Sequence, residues 1–172
     1  MKAAILIKPG NMEIQEVPIP EPLQDWVRIK VKACGICGSD MHYYKGNYPE
    51  LEPSNIIEKK VLCKIYGHEA AGIIDKLGDG VEGLNIGDRV AVIPPFPCME
   101  CEYCKIGLYE DCSKLQVIGY DYPGGFAEYM NVPKRNLFVI PDNISFEEAA
   151  ILDVLTVGIH AIHRGGYLFL IG

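Results

Sequence analysis

Residues 26–42, "WVRIKVKACGICGSDMH", change character half-way along. In the first half Val27, Ile29 and Val31 alternate with Arg28, Lys30 and Lys32, a period of two that sets apolar side chains on one face of a strand and cations on the other. In the second half two cysteines, a serine, an aspartate and a histidine crowd into the nine positions from Cys34 to His42, with two glycines between them. A half-buried strand thus runs straight into a cluster of thiols and polar groups. By itself the C-x2-C pair fits a redox centre, a metal clip or two buried thiols.

The same alternation recurs on both sides. Upstream, "AAILIK" and "MEIQEV" are separated by "KPGN" and followed by "PIPEP", where proline and glycine end strand pairing. Downstream, "EAAGIIDKLG", "RVAVI", "GGFAEYMNV" and "NLFVI" extend the series. Many short strands with turn signals between them predict a mainly β fold, a barrel or a sandwich. One helix is predicted, in "SFEEAAILDVLTVGIHAIH", where Ser145 as N-cap and Glu148 three residues on have capping-box spacing. After Arg164, "GGYLFLIG" reads as a glycine turn and a fully buried strand, and "KGNYPELEPSNIIEKKVLCKIY", which holds Cys63 as a free thiol, as a loop or lid.

Composition narrows the classes. A chain of 172 residues supports one good core, and 49% apolar residues with a mean hydropathy of +0.09 exclude a disordered segment. No apolar run approaches the roughly 20 residues that span a bilayer, and the start "MKAAILIKPG" has no signal-peptide core, so no membrane partner is expected. A net charge of -7 without a basic patch argues against nucleic acid. Seven cysteines at short spacings suit metal thiolates in a reducing compartment, which predicts the cytoplasm.

The strongest motif is "PCMECEYCKIGLYEDC", with Cys98, Cys101, Cys104 and Cys112 at C-x2-C-x2-C-x7-C. Four thiolates close the tetrahedral shell of one zinc ion and leave no water position, which makes the site structural. An iron–sulfur cluster is the rival for such a run. A catalytic zinc needs three ligands from distant parts of the chain and an open position, a demand that Cys37, His68 and an acidic residue farther on would meet. Spacing alone leaves a turn thiol and a core histidine equally open. His160 and His163, at i and i+3 on the predicted helix, lack a third ligand and are not expected to bind metal.

"CGICGSDMH", "GHEAAG", "GDRVAV", the four-cysteine lobe, "GGFAEY" and "EEAAILDVLTVGIHA", in this order, resemble the zinc-dependent medium-chain alcohol dehydrogenases. "CGSDMHYY" and "LTVGIHAIHRGG" are similar to the polyol branch typified by sorbitol and galactitol-phosphate dehydrogenases, with the threonine and butanediol dehydrogenases as an alternative. The resemblance implies a GroES-like, partly open β-barrel with a structural-zinc lobe at about 94–115 and short helices. It implies a catalytic zinc on Cys37, His68 and either Asp153 or Glu69, hence two zinc ions per chain. Cys34 becomes a packing residue and Asp40 a carboxylate behind His68 that orients its ring. Since zinc, one thiolate and one carboxylate sum to zero charge, Asp153 is expected to persist and Glu69 to exchange with water or substrate. Ser39 and His42 are implied as a proton relay, and Tyr43 and Tyr44 as lining of the substrate cleft.

What the resemblance implies functionally is hydride transfer from a secondary alcohol or polyol to NAD or NADP. The cofactor would be held by a Rossmann domain whose G-x-G-x-x-G turn joins a strand to a helix; "GDGVEG" at 78–83 has the spacing but is a weak imitation without that context. The expected division is a GroES-like zinc-binding catalytic domain over 1–163 and the truncated start of a Rossmann domain over 164–172, inactive by itself. A zinc-stabilised binding or scaffold module that has lost catalysis is the alternative from another class, and self-association into a homo-oligomer stays open.

Overall fold

The computed structural model describes residues 1–47 and 64–165. The strand expected at "YLFLI", the thiol Cys63 and most of the expected loop or lid lie outside the described residues. The alternating segments become strands β1 (Lys2–Lys8), β2 (Asn11–Glu16), β3 (Trp26–Cys34), β4 (Ala70–Leu77) and β5 (Arg89–Val92), followed by the short pair β6 (Pro95–Phe96) and β7 (Gln116–Val117), then β8 (Tyr129–Pro133) and β9 (Leu137–Val139). A five-stranded antiparallel sheet in the order β8-β3-β4-β5-β9 curls into a half-barrel, and the β1–β2 hairpin joins it through a bridge between Ala3 and Ala127. The fold is therefore the mainly β, partly open barrel that the strand pattern and the resemblance predict.

β3 lies at the heart of this sheet, between β8 and β4, because its alternation supplies the core. Val27 and Ile29 are completely buried and pack with Ile74, Val90, Ile118, Met130 and Val132. Val31 is only partly buried, since the pairing with β4 slips between Val31 and Ala33 and turns the strand end outward. The opposite face of the sheet carries the small residues Ala71 and Ala91, against which helix α3 (Phe146–Ala150) lays Ala149 and Ala150. Alanines on both partners let helix and sheet approach closely.

Helices depart from the sequence expectation in two places. Residues 38–45, to which the strand and helix signals assign no element, form helix α1 (Gly38–Lys45). The C-terminal helix is interrupted at Ile151, giving α3 and then α4 (Leu152–Arg164). The capping box at its start is present in full: the Glu148 amide donates to Ser145 Oγ at 3.1 Å and the Ser145 amide to Glu148 Oε2 at 2.7 Å. None of α4's side chains is buried, and Val154, Leu155, Val157 and Ile159 stand exposed. Among the described residues no helix is long and apolar enough to cross a membrane.

Candidate metal centres

Two clusters of metal-ligating side chains occur among the described residues. The first sits in a lobe that leaves the barrel after β5 and returns at β7. Its neck is the β6–β7 pair, and it contains the short helix α2 (Glu102–Lys105) and a 3-10 turn at Tyr109–Asp111. Cys98 precedes a left-handed residue, Met99 (φ 64°), which reverses the chain so that Cys101 and Cys104 face Cys98 across the turn. The Cys101 and Cys104 sulfurs are 3.5 Å apart and those of Cys98 and Cys104 3.9 Å. Thiolates at the corners of a tetrahedron around one zinc ion stand about 3.8 Å apart, from a Zn–S distance of about 2.3 Å. The two separations are those of thiolates that could share one ion. Backbone amides donate to two of the sulfurs, Cys98 N to Cys112 Sγ at 3.3 Å and Cys101 N to Cys98 Sγ at 3.4 Å. Amide donors likewise hold the Cys98 and Cys101 thiols below their ordinary pKa, Cys101 down to about 6.

The second cluster forms where β3 ends and β4 begins. Cys37, at the N-cap of α1, comes together with His68 and Glu69, one ligand atom of each lying within 4.8 Å of the others. Two glycines make the approach possible. A Cβ on Gly35 would overlap Glu69 Oε2, and one on Gly67, whose φ is 90°, would meet Phe126 at 2.6 Å and the Cys34 sulfur at 2.9 Å. Asp40 ties the two ligand-bearing segments to each other. It is buried, and its carboxylate accepts from Cys37 N at 2.9 Å and from Gly67 N at 3.3 Å, with His68 Nδ1 3.8 Å away. The first of these bonds is half of a capping box and the second crosses to the other ligand strand, so one carboxylate is both helix cap and clamp.

His68 is 6% exposed, and among the described residues its Nδ1 has no hydrogen-bond partner. A buried unpaired ring nitrogen beside a thiol and two buried carboxylates is costly as a packing arrangement and suits a cation. The sulfur, nitrogen and oxygen donors together fit zinc.

Residues 23–142 match the model of the alcohol dehydrogenase GroES-like domain. The chain belongs to that family. This GroES-like domain is 41% identical over 169 residues to a sorbitol dehydrogenase of Bacillus subtilis, the match covering 95% of this chain and 45% of the relative. In structure it is similar to galactitol-1-phosphate dehydrogenase from Escherichia coli, with a TM-score of 0.86, 36% identity, and coverage of 96% of this chain and 45% of that one. It is also similar to rspB from E. coli CFT073, solved with NADH, with a TM-score of 0.84, 37% identity, and coverage of 96% and 46%. The domain therefore spans about half the length of the relatives it matches.

The remaining residues singled out in the sequence of this GroES-like domain fall into place around the second cluster or away from it. Asp153, in the first turn of α4, is not among the clustered ligands, but lies within electrostatic reach of His68. Partial burial raises its pKa and the imidazole partly offsets the rise. Ser39 is in the first turn of α1, while His42 is exposed at its far end, 3.2 Å from Asn47. Tyr44 turns away to donate to Gly10 O at 2.9 Å, whereas Tyr43 joins an aromatic wall with Tyr66 and Tyr120 beside His68. Cys34 packs against the sheet core and burial pushes its thiol up to about 12, so it is not poised for redox chemistry with Cys37. His160 and His163 are exposed on α4, outside both clusters.

Sequence reading missed Tyr66 and Tyr120. Neither belongs to a motif with cysteine or histidine spacing, and only the folding of distant loops onto α1 brings them to the site. A local signal existed in "IYGHE" and "IGYDY", where a tyrosine flanks a glycine beside an isoleucine and an acidic residue.

Proposed function

We propose that this domain is the zinc-binding catalytic half of an alcohol or polyol dehydrogenase acting on a secondary alcohol with NAD or NADP, with Cys37, His68 and Glu69 as ligands of the catalytic ion. Asp153 is a further carboxylate that exchanges with Glu69. The observation that carries this reading is the convergence of Cys37, His68 and Glu69 beside Ser39, from segments far apart in sequence. When bound there, zinc supplies a Lewis acid that acidifies an alcohol hydroxyl. The chain's own residues do the rest. Asp40 holds the two ligand strands at fixed separation, Ser39 offers a hydroxyl to the substrate oxygen, and His42 stands at the solvent end of α1, where a proton can leave. The Tyr43, Tyr66 and Tyr120 rings exclude water from one side.

A second zinc ion, on Cys98, Cys101, Cys104 and Cys112, holds the lobe of about 94–115 together. The functional unit is residues 1–163, with 164–172 leading into a nucleotide-binding domain. The thiolates required by both ions suit a reducing compartment, which supports a cytoplasmic location. The polypeptide of residues 1–172 by itself is proposed not to transfer hydride, because positioning the nicotinamide against the alcohol is worth roughly 7–11 kcal/mol of barrier and the G-x-G-x-x-G spacing at 78–83 leads into a strand, not into the helix a dinucleotide fingerprint needs.

The test is made on that polypeptide. Elemental analysis is expected to find two zinc ions per chain, falling to one in Cys37→Ser. Calorimetry with NAD and NADP, and an absorbance assay with a panel of polyols, are expected to show no binding and no turnover. Iron in place of zinc, or two zinc ions retained in Cys37→Ser, would refute the metal assignment. Micromolar cofactor binding would refute the division of labour.

A further inference from the structure

Ser39 and Tyr120 are 81 residues apart in sequence, yet their hydroxyl oxygens share a 2.5 Å hydrogen bond, at the short end of the range for such pairs. Ser39 lies two residues beyond the metal-cluster thiol Cys37. The Tyr120 ring is 5.1 Å from the ring of His68 and 5.0 Å from that of Tyr43. Packing alone would be met by a phenylalanine. The hydroxyl that distinguishes tyrosine is spent on Ser39.

We propose that Tyr120 is a positioning residue that lets the Ser39 hydroxyl serve an alcohol and a carbonyl compound in turn. The inference rests on the alcohol site proposed beside Cys37, His68 and Glu69. Each hydroxyl of the pair carries one proton and can also accept a hydrogen bond. An alcohol brings its own proton, so Ser39 accepts from it and passes its own hydrogen bond to Tyr120. A carbonyl oxygen can only accept, so Tyr120 donates to Ser39 and Ser39 donates to the carbonyl. The two protein hydroxyls serve both arrangements by rotation of their O–H bonds, while the oxidation itself gives the alcohol's hydride to the nicotinamide and releases its hydroxyl proton to solvent. A reversible oxidation presents Ser39 with one kind of oxygen on each side of the reaction. Without the Tyr120 hydroxyl, Ser39 loses its donor in one state and its acceptor in the other.

The 172-residue chain loaded with cobalt(II) tests this, because the visible absorption of cobalt at a Cys37-dependent site reports ligands that enter its open position. Three probes are titrated: 2-propanol, which donates and accepts; dimethyl sulfoxide, whose oxygen only accepts; and imidazole, which offers Ser39 no oxygen. Tyr120→Phe keeps the ring that packs on Tyr43 and His68, and a thermal melt alongside verifies the fold. It is expected to weaken 2-propanol and dimethyl sulfoxide about 3- to 10-fold, the range for one lost hydrogen bond, and to leave imidazole unchanged. In a Ser39→Ala background the same substitution is expected to have no further effect on any probe, since the two act as one unit. Equal weakening of all three probes, no weakening of any, or an effect that persists without Ser39 overturns the proposal and leaves the alcohol site standing. A cobalt spectrum that Cys37→Ser does not change overturns the alcohol site and the proposal together.

Discussion

Asp40 is the single side chain on which both halves of the second metal centre depend. Its carboxylate holds the amides of Cys37 and Gly67, so Asp40→Ala leaves two amides without partners in a buried place. The expected cost is about 1–3 kcal/mol of stability, read from denaturant unfolding, together with the loss of one of the two metal ions in elemental analysis. An unchanged midpoint with both ions retained would show that the clamp is dispensable. A finer contest is between Glu69 and Asp153. Charge alone ranks Asp153 first, whereas the geometry groups Glu69 with Cys37 and His68 and leaves Asp153 outside. Glu69→Gln is therefore expected to lose zinc to a competing chelator at lower chelator concentration than Asp153→Asn. The reverse order would make Asp153 the persistent ligand.

At the level of elements, the helices owe their placement to their first residues rather than to apolar periodicity. α1 has almost no apolar face, and starts because Cys37 and Asp40 form a capping box that doubles as site scaffold. α3 starts on the Ser145–Glu148 box, and Ser145→Ala is expected to cost about 1 kcal/mol by removing the acceptor for the Glu148 amide. The same box has a pH signature. The Ser145 amide bound to the Glu148 carboxylate lowers the pKa of Glu148, so the folded state prefers the ionised form. That contribution is complete above the ordinary carboxylate range near 4.5 and is lost as pH falls through the depressed value. In Glu148→Gln, urea midpoints measured from pH 6 down to pH 3 are expected to fall less steeply than in the wild type. Parallel curves would mean that the carboxylate contributes nothing.

Across the whole molecule, the four-cysteine lobe is joined to the barrel through a narrow aromatic neck. Trp26, the only tryptophan, sits at the start of β3 with its ring 5.6 Å from Phe96 at the lobe's base and 4.9 Å from Tyr122. The core itself draws on residues of β3, β4, β5 and β8 and none from within the lobe between Cys98 and Cys112. Losing the lobe's ion should therefore unfold the lobe and spare the sheet. In Cys101→Ser, hydrogen exchange is expected to quicken at residues 98–112 while the β3 and β4 amides stay protected, and Trp26 fluorescence is expected to shift. Global loss of protection would make the ion a requirement of the entire fold.

The sequence determined by itself the strands, the four-thiolate lobe and the start of the C-terminal helices, because each is written in a local rule: period-two alternation in 27–31, close cysteine spacing in 98–112, a capping box at Ser145 and Glu148. Cys37 and His68 are candidates from residue type alone, and the resemblance gives them the role of zinc ligands. What only the tertiary structure decided are the relations between segments distant along the chain. Asp40 reaches Gly67, Tyr120 reaches Ser39, and the side chain of Glu69, not that of Asp153, clusters with Cys37 and His68. Helix α1 was invisible for a related reason: a helix without an apolar stripe has no periodic signal, and this one is held by a cap and by contacts with a loop far ahead in the chain. Local rules reach a few residues in either direction. A site assembled where one strand ends and another begins depends on how the sheet curls, which is settled by burial of the whole core.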